Sequence, residues 1–271
     1  MIIDISKWNG DIDFEKVKNE VDGIIIRIGY RGYGDGSIVP DPYADAYIKE
    51  CIGLEIPYGV YFFSQAINKA EGKEEGEWTI SRLKRYDVQP LLPVFIDTEA
   101  SSGAGNGRAD RISIFARTEA MKGFCEQVEK LGYWAGIYAS TSWFKDRLSD
   151  EELLKYSHWV ADYRGYNGYT GSTAMWQYSS SGKIDGINGR VDLNEPYIRF
   201  AEIVKEKGLN GYTTPQKPSD GDMPSDGNDN GKDENEPVGV PTPSDGDFTE
   251  EEKSFLVKII RLLIEALGLR I

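Results

Sequence analysis

The chain has 271 residues, 39% of them hydrophobic and 12% aromatic, which is enough to bury one large core or two modest ones. Its 45 acidic residues outnumber 31 basic ones for a net charge of −14, and this excludes nucleic acid as the partner, since phosphate binding needs clustered Lys and Arg. Two cysteines, Cys51 and Cys125, and one histidine, His158, supply neither a disulfide framework nor a metal-ligand set, so both thiols read as buried small hydrophobes and no metal or other cofactor is expected.

In chain order, a strand candidate at 2–6 (IIDIS) leads to a helical pattern at 13–20 and an apolar strand at 23–29 (GIIIRIG). A helix at 41–53 precedes the strand 58–64 (YGVYFFS), and a helix at 68–84 precedes 92–99 (LPVFIDTE). The helix 110–131 is followed by the strand 133–140 (YWAGIYAS) and a short helix at 149–155. Strands at 158–163, 173–179 and 189–194 and a helix at 195–207 complete the run. Strands alternating with helices imply parallel pairing through right-handed crossovers. Eight strands with two connections too short for a full helix predict an α/β fold: an irregular (β/α) TIM-like barrel over residues 1–212, with some helices missing.

Residues 213–247 carry nine acidic and two basic residues and a loose repeat, PSDGD at 218–222, PSDGN at 224–228 and PSDGD at 243–247. Such a segment cannot bury enough apolar surface to order itself and reads as a disordered linker. Asp226, Asn228, Asn230 and Gly231 imitate the start of a calcium loop, but Pro237 stands where a bidentate Glu is needed. Residues 248–271 read as a C-terminal amphipathic helix: Thr249 and Glu252 form a capping box, and Phe255, Ile259, Leu262, Leu263 and Ala266 recur at helical spacing. It is expected to dock, to self-associate or to make weak membrane contact. No transmembrane segment is expected, and MIIDIS lacks the basic start and apolar run of a signal peptide.

Barrel enzymes place reacting groups at the C-terminal ends of their strands. That rule selects Asp4 on the first strand, Asp97 and Glu99 on the fourth, and Asp192 on the eighth. Asp97 and Glu99 lie two apart on a strand and project to one face. Two carboxyls so close resist joint ionisation, leaving a proton available near neutral pH. A carboxylic acid beside a carboxylate is what glycosidic cleavage requires; the competing reading is that the pair caps the following loop. Tyr61, Phe63, Tyr138 and Trp176 fall late in their strands, where flat rings can stack on pyranose faces.

Taken together, DISKWNG, RIGYRG, GVYFFS, PVFIDTE, GIYAS and WQYSSSGKIDGINGRVDLN resemble the lysozymes of glycoside hydrolase family 25, in order, over nearly all of residues 1–200. The resemblance implies an irregular barrel that cleaves the β-1,4 bond between N-acetylmuramic acid and N-acetylglucosamine in bacterial peptidoglycan. It assigns Glu99 as general acid, Asp97 as the group orienting the substrate's own 2-acetamido as nucleophile, and Asp4 and Asp192 as supporting acids. Without a leader, it also implies an endolysin freed from the cytoplasm through a holin, or export by another route. A catalytically silent wall-binding protein and a chitinase-like glycosidase are the alternatives.

Overall fold

The structure is a computed structural model that describes residues 1–101 and 105–214. The chain divides into two units, Met1–Pro218 and Ser219–Ile271; all described residues belong to the first. The calcium-like loop, the amphipathic helix and all of the linker beyond residue 214 lie outside the described residues.

Nine strands follow the chain: β1 (Ile2–Ile5), β2 (Gly23–Arg31), β3 (Ile38–Pro40), β4 (Tyr58–Phe63), β5 (Val94–Asp97), β6 (Ala135–Ser140), β7 (Ser157–Ala161), β8 (Met175–Gly182) and β9 (Val191–Pro196). The helices are α1 (Phe14–Val17), α2 (Ala44–Gly53), α3 (Lys69–Leu83), α4 (Ile114–Lys130), α5 (Thr141–Arg147) and α6 (Phe200–Lys207). The sheet order is β1-β9-β8-β7-β6-β5-β4-β2-β3, and a further β1–β2 pairing closes eight strands into a ring. The expected irregular barrel is therefore present. β3 adds antiparallel to β2 outside the ring and was not anticipated.

The last strand departs from the expected parallel pairing. β9 runs antiparallel to both β8 and β1, because a short hairpin rather than a crossover helix joins it to β8. Helix boundaries also move, the one expected at 195 among them: Glu195 and Pro196 close β9, and α6 begins at Phe200. The helix expected at 110–131 starts at Ile114, since Ser113 caps it through Ala116 N at 3.1 Å and Asp110 is bound to Ser101 and Gly107 instead. At 149–155 only a 3-10 turn forms, Asp150–Glu152, while α5 begins right after β6 on a cap by Ser140.

Alternation along each strand sorts side chains between two cores. Ile3, Ile24, Ile26, Val60 and Ile137 face outward against Ile80, Phe124 and Val128 of the helices. Ile2, Ile25, Phe95, Trp159 and Met175 fill the barrel interior. Trp159 is 1% exposed and packs edge-on against Tyr61, Phe95 and Tyr138. Gly136 makes room for this: a Cβ there would lie 2.4 Å from the Phe95 ring.

Helices α3 and α4 approach through glycines. A Cβ on Gly72 would meet Ala120 O at 2.0 Å, and one on Gly123 would meet Lys69 O at 2.2 Å. Neither obstacle is a flexible side chain, so Gly72→Ala must push the helices apart. We expect it to destabilise the protein by about 1–3 kcal/mol even though alanine is the better helix former. Urea unfolding checks this, and a variant as stable as the parent would mean the helices yield freely.

Candidate active site

The residues one step above the apolar floor are polar on nearly every strand. Asp4 stands on β1, Arg27 on β2, Tyr61 on β4, Asp97 on β5, Tyr138 on β6, Gln177 on β8 and Asp192 on β9. Asp4, Tyr61, Asp97, Glu99, Tyr138, Trp159 and Asp192 border one cavity of about 190 Å³ at the C-terminal mouth of the barrel. The four acids singled out from the sequence thus surround a single opening. Asp192 arrives by a different route from the one expected: it lies near the start of β9, and reversal of that strand brings its start to the mouth, with Asp192 directly opposite Asp4.

Of the four aromatic candidates, Tyr61 and Tyr138 border the cavity and Phe63 and Trp176 do not. Trp176 alternates with Met175 and Gln177, which point inward, so it faces away and donates Nε1 to Asp162 O at 2.9 Å. Phe63 is buried beneath the edge of Tyr33, whose ring is 49% exposed. Trp159, Tyr163, Gln177 and Ser180 border the cavity without having been singled out. Their strand alternation could have marked Trp159 and Gln177; Tyr163 and Ser180 sit past or at the end of regular alternation and gave no such signal.

A continuous hydrogen-bond chain fixes Asp4. Trp159 Nε1 donates to Asn194 Oδ1 at 2.7 Å, while Asn194 Nδ2 and Gln177 Nε2 both donate to Asp4 Oδ2, at 2.9 and 2.8 Å. Gln177 Oε1 accepts from the hydroxyls of Tyr138 and Tyr163. Burial and the facing Asp192 push the Asp4 carboxyl well above its ordinary range, and Asp192 rises to about 6 through burial.

Asp97 is 3% exposed, and its Oδ1 has no hydrogen-bond partner. Burial, then Glu99 and Asp4, raise its carboxyl. Glu99 sits at the lip, where solvent reaches it but protein walls surround it, so desolvation still leads in pushing it up to about 7. Asp192 adds to that rise and Arg27 opposes it. Arg27 itself is held by Asp41, whose side chain is fully buried and accepts from Nε at 2.8 Å. Arg27 lowers Asp97 and Glu99, but burial outweighs it, and all four carboxyls lie above their ordinary range.

The remaining sequence candidates lie elsewhere. Cys51 and Cys125 are free, buried thiols. His158 is 1% exposed, stacked on Phe144 and hydrogen-bonded to Tyr169 and Leu153. Among the described residues no group of three or more His, Cys, Asp or Glu is arranged to hold a metal ion, and no helix is long and apolar enough to cross a membrane. A cavity at the opposite end of the barrel, lined by Ile2, Pro57, Leu92 and Phe200, is more apolar, and its Arg199 and Glu202 pair with each other.

Acids gathered at the strand ends of a closed, irregular barrel form an arrangement that glycoside hydrolysis can use. The sequence profile of glycosyl hydrolases family 25 matches residues 3–187, and this chain belongs to that family. The modular autolysin LytC of Streptococcus pneumoniae is 33% identical, with a TM-score of 0.62, over 71% of this chain and 45% of its own; it is also known in complex with a synthetic peptidoglycan ligand. The autolytic lysozyme of Clostridium acetobutylicum is 29% identical over 196 residues, 71% of this chain and 54% of its own. YegX of Escherichia coli K12 is 26% identical over 220 residues, 75% of this chain and 74% of its own. The chain therefore spans less than half of the autolysin and about half of the clostridial lysozyme.

Proposed function

We propose that this chain is a lysozyme that cleaves peptidoglycan glycan at the β-1,4 bond between N-acetylmuramic acid and N-acetylglucosamine. The observation that carries this reading is Glu99, a solvent-reachable carboxyl poised at about 7 beside a buried acid cluster. About half protonated at neutral pH, it can hand its proton to the leaving glycosidic oxygen, and its conjugate base can then activate water. The unpartnered Asp97 Oδ1 is an acceptor waiting for a donor. An acetamido N–H fits it, and holding that N–H would turn the acetamido oxygen toward the anomeric carbon as internal nucleophile. Asp4 and Asp192, side by side on β1 and β9, supply the negative potential that stabilises the oxocarbenium-like transition state.

The named activities of the pneumococcal autolysin and the clostridial lysozyme support action on the cell wall. In this reading the protein works outside the cytoplasm, after holin-dependent release or export by another route. Mass spectrometry of borohydride-reduced wall digests tests it: fragments should end in reduced muramic acid. Reduced glucosamine ends would point to the opposite glycan cleavage, cut peptides would exclude a glycosidase, and wall binding without new reducing ends would mark a silent binder. Turnover of chitin oligomers in preference to wall glycan would mark a chitinase-like enzyme.

A further inference from the structure

Glu99 lies beyond the strand that aims it. β5 closes at Asp97, and past that point Thr98 N still donates to Tyr138 O at 3.0 Å in the manner of the ladder. Glu99 then opens the segment that runs to α4 at Ile114. A general acid must keep its proton within hydrogen-bond reach of the leaving oxygen, so the start of this segment has to be fixed. Arg117 of α4 reaches it from behind. Strand alternation sends Asp97 and Glu99 inward and Thr98 outward toward the helices, where Thr98 Oγ1 accepts from Arg117 Nη1 at 3.2 Å. The other arm of the guanidinium, Nη2, donates to Ala109 O at 2.6 Å and to Asp110 O at 3.4 Å, near the far end of the segment. That far end is itself fastened: Ala109 N donates to Gln65 Oε1 at 3.2 Å, and Arg108 forks onto Glu71 at 2.6 and 2.9 Å. One planar group thus ties the residue between the two central acids to an anchored point farther along the chain.

Arg117 is 2% exposed, its guanidinium lies 4.4 Å from the Trp143 ring, and its acceptors are a hydroxyl and two carbonyls rather than a carboxylate. Burial, then Arg147, pulls it down to about 10, so folding holds this charge at a cost. An apolar side chain would pack there more cheaply. What it would lack is a rigid fork of donors that serves both ends of the segment at once. The charges that act on Glu99 come from Asp192 and Arg27, so Arg117 works on it by placement and not by its field.

We propose that Arg117 is a positioning residue for glycan cleavage: through Thr98 it holds Glu99, and Asp97 with it, where the acid's proton reaches the leaving oxygen. The proposal rests on the lysozyme reading and deepens it. Full-length variants test it by kcat and KM on soluble wall glycan, urea unfolding and amide hydrogen exchange. Arg117→Lys keeps the charge and removes the fork. Its kcat should fall about 10- to 100-fold, since a misplacement of ~1 Å can cost about 10²-fold, with KM and the alkaline limb of the pH profile unchanged. Thr98→Val removes only the hydroxyl and should lower kcat in the same way, and joining it to Arg117→Lys should add nothing. Thr98→Ser keeps the hydroxyl and should recover most of the rate, although it removes a buried methyl. In Arg117→Lys and Thr98→Val the amides of 99–101 and 107–110 should exchange faster than in the wild type. An undiminished kcat in Arg117→Lys overturns the proposal. So do equal losses in Thr98→Val and Thr98→Ser, losses that simply follow stability across the set, or a change in KM alone. Failure of the lysozyme reading appears separately, as a wild-type protein that releases no muramic-acid ends from walls, and the exchange rates then still decide whether Arg117 fixes the segment.

Discussion

Glu99→Gln is expected to lower turnover of wall glycan by roughly 10²–10⁴-fold, the range for losing a general acid, while the barrel stays folded. The amide is nearly isosteric, and Glu99 sits at the exposed lip. Its pKa of about 7 also sets the pH profile. The acid form is lost as pH rises through 7, so wild-type turnover should fall on the alkaline side, and the residual activity of the Gln variant should lack that limb. Stability moves with the same titration. The folded-state value lies above the ordinary 4.5, so the folded protein binds more protons between these values and loses stability as pH rises from about 4.5 to 7. Glu99→Gln removes that loss. It should melt above the wild type at pH 8, with the difference vanishing near pH 4. Wall-suspension clearing at several pH values and thermal melts at pH 4 and pH 8 measure all of this. Undiminished clearing would take the acid's role away from Glu99.

The second large effect is expected at Arg27. Its guanidinium lies 2.7 to 2.8 Å from Asp41, and the two side chains are 10% and 0% exposed. Removing one partner strands the other charge in a medium that solvates it poorly. Arg27→Met should therefore cost about 3–5 kcal/mol, the range for breaking a buried pair. Asp41 also accepts from the backbone N–H groups of Lys7 and Tyr43, the loops after β1 and before α2, so the loss extends to both. Arg27→Met combined with Asp41→Asn should regain part of the stability. Arg27 also holds down Glu99 and Asp97, so the alkaline limb of activity should move to higher pH in the single variant. Urea unfolding and pH–rate profiles read the two effects separately. A loss below about 1 kcal/mol would mean that water enters to solvate Asp41.

Much of this was legible in the sequence because strand periodicity is strict. Runs such as GIIIRIG and PVFID mark buried strands, and their order around the barrel follows from the crossovers between them. The same alternation that places Asp97 also places Trp159 and Gln177 inside, and it turns Trp176 outward. Trp176 was mistaken for a mouth residue because its position late in a strand was weighed without its inward neighbours. Phe63 does follow the inward phase of Tyr61, but Tyr33 covers it, and no local pattern foretells a loop folding over a strand end. The direction of β9 was hidden for a related reason. Handedness rules govern parallel crossovers, whereas the SGKIDGINGR stretch is a hairpin connection whose length alone signals reversal. Arg27 escaped notice because its partner Asp41 is 14 residues away, across the β3 hairpin.

The seam between β1 and β9 sets a timetable. Asp4 leaves the ribosome long before the residues it depends on: it faces Asp192 and is oriented by Gln177 and Asn194, all supplied near the other end of the barrel's chain. Until those residues have been synthesised and the seam zips, no nascent or truncated product possesses the acid cluster. A cell making a wall-cutting protein would thus be exposed to its chemistry only once translation of the barrel is nearly finished.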